Sequence, residues 1–564
     1  MASRQRSRSE KLMKKIPEIT VQNLDHLGLV AGIIDCIEIV EKINQLVGCQ
    51  PGEIVSPGHA VKAMILNGLG LISAPLYLFS KFFEGKPTEH LIGKGIKPEH
   101  LNDDRLGRVL DKLYVTGLSQ TFTTIALEAA VKFDVCLKTV HLDSSSFHLH
   151  GEYKHYADNS EISLLYQPKN LSVNEVSSTN PNTAPLPIHI TYGYSRDHRP
   201  DLKQFILDLI CSGDGDVPLF LKVADGNQAD SAVFGQILSS FKQQLNLDSL
   251  FVADSALYTA NNLEIIKNLK WLSRVPLGVK QAKNLISQLT EAEFVDSKIP
   301  GYRWSQQHSD YGGLPQRWLV VESAQRRQSD LRRIEKEIQK LEQEARQKLR
   351  QLSAQKFACQ PDTIEAALQL SRKFKYQKLT NIHAISLIGV KNPDKQVYKL
   401  QANIELDDQA VAREIQQSGR FVLATNVLEV NELDPDQMLS TYKQQQSAER
   451  GFSFLKDPLF FTDSVFLKSS ERRESLALIM GLCLLVYTLA QRHLRCRLIQ
   501  SQAKLKNQLG QLTERPTLRW IFQCFQAVHL LTISSVKQIS NLTDERLEIL
   551  RFFPNTCRSY YLLD

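Results

Sequence analysis

A sheet-forming stretch that breaks off and later resumes constrains this chain more than any other feature. Lys138–His150 reads as a strand rich in β-formers. Ile188–Tyr194 follows, then Phe205–Cys211 or Leu219–Val223. A helix near Asp230–Gln244, the strand Leu250–Asp254, a helix near Asn261–Leu269 and the strand Trp271–Pro276 close the run. Strands first, then strand–helix–strand, predict a mixed sheet flanked by helices. The polar stretch Gln167–Pro187 has no periodicity and reads as a loop. Residues 281–420 interrupt this pattern. Leu331, Ile334, Ile338, Leu341, Ala345, Leu349 and Leu352 recur there at spacings of 3, 4, 3, 4, 4 and 3, a heptad-like stripe on a helix over 325–355. Both an intramolecular helical hairpin and a dimer seam fit that stripe. Strand texture returns at Ala384–Val390, Val397–Glu405 and Phe421–Thr425, and helix dominates from Asp434 onward.

The expected organisation is a basic tail over 1–16, a helical domain over 17–135 that fits DNA binding among many ends, and a sheet core split into 136–280 and 421–497. An insertion domain fills 281–420, and a helical region covers 498–564. Within the N-terminal domain, Gly48, Pro51-Gly52, Pro57-Gly58 and Gly68 punctuate short helices, and Asn102-Asp103 can cap a helix over Asp104–Tyr114. At 564 residues, with 42% hydrophobic and 23% charged, the chain is long and balanced enough to bury cores, which excludes wholesale disorder. Nine cysteines without a CxxC argue for a reducing compartment and against a zinc ribbon. No apolar leader pattern follows the start. The longest apolar run, Leu476–Ala490, is shorter than the roughly 20 residues a membrane span needs and reads as a buried core helix. The expectation is therefore a cytoplasmic protein with no membrane partner.

Net charge is +7, but it is unevenly placed. Arg4, Arg6, Arg8, Lys11, Lys14 and Lys15 crowd the N-terminus, and Arg492, Arg495, Arg497, Lys504, Lys506, Arg515 and Arg519 crowd residues 491–520. Such clusters suit phosphate neutralisation with counterion release, and equally a solvated tail and a solvated helix face.

Three carboxylates stand out. Asp143 sits inside an apolar strand and precedes Ser144-Ser145-Ser146; Asp254 ends the strand Leu-Phe-Val-Ala-Asp. An acid within a strand is poorly placed for an apolar core. Two converging on adjacent strands are costly unless a divalent cation lies between them, and hard carboxylate oxygens are what Mg²⁺ takes. Strand-end caps or buried ion pairs remain the plainer reading of these two. The third acid is Glu449, on a helix expected over Thr441–Lys456. At 100° per residue, Tyr442, Gln445, Glu449 and Lys456 share a 60° arc of that helix. A carboxylate flanked by a hydroxyl and an ammonium suits gripping a phosphodiester.

These residues resemble a family. The DDE transposases of bacterial insertion sequences, in the superfamily named for insertion sequence four, carry Tyr-x2-Arg-x3-Glu-x6-Lys around their last catalytic acid. Here Tyr442, Glu449 and Lys456 fall at that spacing, with Gln445 at the arginine position. His141-Leu-Asp143-Ser-Ser-Ser resembles the family's first-aspartate strand, and Val252-Ala-Asp254-Ser-Ala-Leu-Tyr258 its second. Gly193-Tyr-Ser-Arg196-Asp-His-Arg199-Pro-Asp-Leu-Lys203 and Gly419-Arg-Phe-Val-Leu-Ala-Thr425-Asn are similar to further blocks of the branch with a helical N-terminal domain. The resemblance implies an α/β fold: an RNase H-like mixed sheet with flanking helices, interrupted by a partly helical insertion, plus an all-α N-terminal domain. It implies that Asp143, Asp254 and Glu449 bind two Mg²⁺ ions, with Mn²⁺ as a substitute. It places Tyr442, Lys456, Arg450, Arg196, Arg199 and Lys203 on DNA. The implied activity is cleavage at element ends and strand transfer into target DNA. Its partners are double-stranded DNA, as terminal inverted repeats and as target, and a second copy in a homodimer on DNA. The implied setting is a bacterial cytoplasm, nucleoid-associated when bound.

Other readings stay in view. His141, His148, His150 and His155 are tempting, but His148 and His150 share one strand face while His141 faces the other, too few to converge on zinc. Asp225 lies in Asp-Gly-Asn and reads as a turn. Tyr192, Tyr194 and Trp520 suit either base stacking or buried packing, the commoner outcome. A host nuclease of the same fold and a decayed DNA-binding protein are the competing functions.

Overall fold

The computed structural model describes residues 19–71, 74–149, 187–194, 199–244, 248–389, 392–457 and 469–563. Its strands and longer helices run in chain order as follows. The first part holds β1 (Ile19–Asn23), α1 (Leu27–Cys36), α2 (Ile39–Val47), α3 (Pro57–Gly68), α4 (Asp103–Thr116) and α5 (Leu118–Lys132). Next come β2 (Thr139–Leu149), β3 (Lys203–Ser212), β4 (Pro218–Ala224), α6 (Asp230–Gln244), β5 (Leu250–Ala253), β6 (Lys270–Val275) and α7 (Lys280–Gln288). Then follow β7 (Val295–Asp296), β8 (Tyr302–Ser309), β9 (Gln316–Ser323), α8 (Ala324–Ala354), α9 (Gln360–Ser371), β10 (Gln377–Gly389), β11 (Asn392–Leu406), α10 (Asp408–Gln417) and β12 (Arg420–Thr425). The remainder is α11 (Pro435–Lys443), α12 (Gln446–Leu455), α13 (Ser470–Gln500), β13 (Leu505–Lys506), β14 (Leu512–Thr513), α14 (Leu518–Cys524), β15 (His529–Ile533), β16 (Val536–Ser540), α15 (Asp544–Leu550) and α16 (Asn555–Leu562). The chain is mixed α/β and divides into two units, Met1–Leu257 with Lys443–Asp564, and Tyr258–Tyr442.

In the first unit the strand order is β4-β3-β2-β5. β2 runs antiparallel to β3 and parallel to β5, so the sheet is mixed. Both Phe205–Cys211 and Leu219–Val223, alternatives in the sequence, are strands. α6 covers one face, where Phe241 meets Phe220 and Phe251 edge-on. α12 and α13 cover the other: a Cβ on Gly451 would touch Leu209, and one on Gly481 would touch Leu221. By length and composition α13 could cross a membrane. Yet 83% of its apolar window is buried inside the protein, against α1, α3, α4, α5 and β4, as the run Leu476–Ala490 suggested.

The two ends of the sequence build one body. β1 pairs with β15, which pairs with β16, and α1 packs on α16. At Gly32 a Cβ would stand 2.3 Å from the Cys557 Cα, so that crossing tolerates only glycine. Tyr561 accepts from the Leu29 N–H at 3.2 Å and donates to the Asp25 carbonyl at 2.6 Å. Lys62 and the Tyr560 hydroxyl both bind Asp35. This corrects the expected all-α domain over 17–135 and the expected helical region over 498–564. β15 and β16 are five residues each, too short for alternation to stand out against the helices around them.

The second unit carries strands in the order β6-β12-β9-β8-β7. β8 and β9 lie inside the range read as an insertion, yet β9 pairs with β12 along its length. The sheet-forming sequence therefore resumes earlier than Phe421. β8, Tyr-Arg-Trp-Ser-Gln-Gln-His-Ser, is too polar to announce itself. α8 bears out the predicted helix, and its stripe is used within the chain: Leu349 and Leu352 pack with Ala367, Leu379 and Leu400 from α9 and the β10–β11 ribbon.

Candidate active site

β2 is a buried central strand with a run no core would choose. His141, Asp143, Ser144, Ser145 and Ser146 are all at most 8% exposed. Burying that many polar groups side by side costs stability unless they serve a purpose. Parallel pairing with β5 runs from Thr139 opposite Leu250 to Leu142 opposite Ala253. Asp143 and Asp254 are thus each the next residue beyond the last matched pair, and end abreast. Asp143 takes the Ser144 N–H on Oδ1 at 2.9 Å. Asp254 takes the Ala256 N–H on Oδ1 at 2.9 Å, in the turn that stops β5.

The helix expected over Thr441–Lys456 is two helices. α11 ends at Lys443, a turn covers Gln444 and Gln445, and α12 starts at Gln446. Tyr442 therefore sits on α11, before the break, and belongs to the second unit. From the N-cap Gln445 through α12 to the C-cap Lys456, Gln445, Glu449, Phe452 and Lys456 at offsets of 0, 4, 7 and 11 share a 60° arc. That arc lies along β2: Gln445 meets His141 and Leu142, Phe452 stacks edge-on to Phe147, and the Lys456 ammonium lies 5.5 Å from the Phe147 ring centre. Gln445 to Glu449 is about 6 Å along a helix, and His141 to Asp143 about 6.6 Å along a strand. The shared direction puts Glu449 at about the level of Asp143 along β2, and Glu449 is exposed where Gln445 and Phe452 of the same arc are buried.

The remaining expected DNA contacts are mostly committed elsewhere. Arg450 forms a two-bonded pair with Asp216 at 2.6 and 2.7 Å. Arg199 does the same with Asp201, at 2.8 and 2.9 Å, and its bonds hold the Asp201 carboxyl down at about 2. Lys203 opens β3 opposite Leu149. Arg196, the basic tail, His150 and His155 lie outside the described residues. The 491–520 cluster is largely structural. Arg492 binds Asp214 and the carbonyls of Phe133 and Asp134, Arg495 binds the Pro516 carbonyl, Arg519 binds Asp457 and Lys504 binds Glu514. Arg497, Lys506 and Arg515 stay exposed without an ion pair among the described residues. Asp225 is the turn residue expected, accepting from the His189 N–H at 2.7 Å. Tyr192 and Tyr194 are 58% and 86% exposed rather than packed, whereas Trp520 donates to the Lys506 carbonyl.

Sequence reasoning missed the pairing of His141 with Gln445. Its signal was parity: His141 shares a strand face with Asp143, two residues on. Burial drives the His141 pKa down to about 4, against a smaller upward pull from the Gln445 bond, so the ring is neutral at pH 7.

The family model for the transposase DDE domain matches residues 140–489, well over half the chain and spanning β2 to α13. The chain belongs to the transposase DDE domain family. A second model, a domain of unknown function (DUF4277), matches residues 19–127 of this transposase-family chain. No curated protein matches it. Among solved structures it is similar to the piggyBac transposase in its synaptic complex with hairpin DNA, at 8% identity and a TM-score of 0.37, over 90% of this chain and 83% of that one. Membership brings with it the use of divalent metal ions. The donor set, three carboxylates, suits a hard divalent cation. Among the described residues no group of three or more His, Cys, Asp or Glu closes on a common point.

Proposed function

We propose that this protein is a DNA transposase of the insertion-sequence-four type that cleaves the ends of its own element and joins the freed 3′-OH to target DNA. The observation that carries the reading is the buried polar run of β2, with Asp143 and Asp254 abreast at the end of a parallel strand pair and Glu449 on the helix laid along them. The order β4-β3-β2-β5, with β2 antiparallel to one neighbour and parallel to the other, supports an RNase H-like core.

Asp143, Asp254 and Glu449 would hold two divalent cations, Mg²⁺ with Mn²⁺ as a substitute, which activate the attacking oxygen and stabilise the leaving one. The main-chain N–H bonds to Asp143 and Asp254 fix both carboxyl planes before substrate arrives. Lys456, and by its motif position Tyr442, grip the phosphate. In cleavage, water displaces the 3′ oxygen from phosphorus and leaves a free 3′-OH; in transfer, that hydroxyl attacks a target phosphodiester and displaces its 3′ oxygen. Two element ends must be held together, which supports a homodimer on double-stranded DNA in a bacterial cytoplasm.

The test is cleavage of supercoiled plasmid carrying the gene's flanking DNA, with Mg²⁺ or chelator. Metal-dependent cuts at the flanks, absent in Asp143→Asn, are expected. Scattered cuts unrelated to the flanks would make the protein a nuclease, and binding without cutting would make it a regulator.

A further inference from the structure

Gln445 stands where the family motif carries arginine, and it does not face solvent. It is 8% exposed, at the turn between α11 and α12. A residue at a helix N-cap ordinarily spends its side chain on the helix's own N–H groups. Gln445 makes no such bond. Its amide instead donates to the Leu142 carbonyl at 2.8 Å, and its oxygen lies 3.3 Å from His141 Nδ1. Leu142 is the last β2 residue matched to β5, and the next residue is Asp143.

A carboxamide satisfies both neighbours at once. The Leu142 carbonyl only accepts, so it must face the Gln445 NH₂, which fixes the amide orientation. The oxygen then meets His141 Nδ1, which must carry the ring proton. His141 Nε2 is left as a bare acceptor, buried and without a hydrogen-bond partner among the described residues. A guanidinium offers only donors and would bond Nδ1 only in the other tautomer, with the ring proton moved to the buried Nε2. Gln445 and His141 are thus a matched pair, and the pair ties the start of Glu449's helix to the strand carrying Asp143.

We propose that Gln445, held by His141, is a positioning residue that sets α12 against β2 and so governs how closely Glu449 can approach Asp143 when metal binds. This rests on the reading of Asp143, Asp254 and Glu449 as the metal-binding acids. Partners behind metal ligands typically change metal affinity by about 10–100-fold when removed. Gln445→Met keeps length and loses both polar contacts. His141→Asn keeps a donor near the Nδ1 position, and His141→Leu does not.

The measurement is Mn²⁺ binding by the full chain without DNA, read from the free-Mn²⁺ electron paramagnetic resonance signal, alongside plasmid cleavage and the melting temperature. Gln445→Met and His141→Leu should weaken Mn²⁺ binding about tenfold and raise the metal concentration needed for cleavage, with DNA affinity unchanged. His141→Asn should restore most of the binding. Gln445→Met that binds Mn²⁺ like wild type, while Asp143→Asn does not, overturns the positioning role alone. Should Asp143→Asn itself bind Mn²⁺ and cleave normally, the acid assignment falls and the positioning role with it. A variant that unfolds moves the test to His141→Asn against His141→Leu, where equal binding by two folded proteins overturns the proposal.

Discussion

Each unit buries charge, and the two do it differently. In the second unit Arg420 is 3% exposed and closes on itself: its guanidinium binds Glu322 at 3.1 Å and the carbonyls of Ile286 and Leu289 at 3.1 and 2.9 Å. Burial pushes the Glu322 carboxyl up, but bonds from Arg303 and Arg420 outweigh it and hold the group below its usual range. That cluster is architecture. In the first unit, β2 buries His141, Asp143 and three serines, and the face that His141 and Asp143 share toward α12 opens at an exposed Glu449. A buried charge tied to several partners is costly to unpair, whereas one laid along an open seam is placed for a ligand.

Five substitutions sharpen that contrast. Asp143→Asn should abolish cleavage, by about 10³-fold or more if its carboxylate holds metal. It should leave denaturant stability level or slightly raised, because it removes a buried charge. Glu322→Gln should do the opposite, costing about 3–5 kcal/mol in urea unfolding as Arg420 loses its partner, with the metal dependence of cleavage unchanged. Were both variants to lose stability alike, the distinction between the two regions would fail.

Glu474 on α13 tests burial without catalysis. It accepts from the Ile188 N–H at 2.6 Å, and desolvation raises its pKa to about 7. A carboxyl raised in the folded state contributes stability that is full below its unfolded value of about 4.5 and is lost as pH climbs through 7. Glu474→Gln should therefore add about 1–3 kcal/mol at pH 8 and almost nothing at pH 4.5, measured as paired unfolding curves. An equal gain at both pH values would contradict the burial account. The smallest effect belongs to Tyr192→Ser and Tyr194→Ser, both exposed, which should move stability by no more than about 0.5 kcal/mol. A larger loss would show these rings packed after all.

Much of the first unit was legible in the residues. The places of Asp143 and Asp254 beside the end of the β2–β5 pairing could be read because acids there offend an apolar core, and α13 because its apolar run is unbroken. What failed were features decided by tertiary contact. The turn at Gln444–Gln445 has no glycine or proline to announce it, so one helix was read where there are two. β8 is a polar strand held between its neighbours β7 and β9, and β15 is a five-residue strand recruited by β1, far away in sequence. The basic cluster at 491–520 read equally as a phosphate-binding face or a solvated one, because sequence does not show that Asp214, Asp457 and several carbonyls turn toward it. Gln445 looked like a defect in a motif, and only its neighbours Leu142 and His141 show what it holds.

The most direct test of the central claim is where a metal sits in the folded protein. Fe²⁺ substituted for Mg²⁺, with ascorbate and peroxide, cuts the polypeptide beside the bound ion. Fragments from cuts near residues 143, 254 and 449, suppressed by excess Mg²⁺ and absent in Asp143→Asn, are the predicted result. Metal-suppressible cuts confined to other segments would contradict the assignment of these acids.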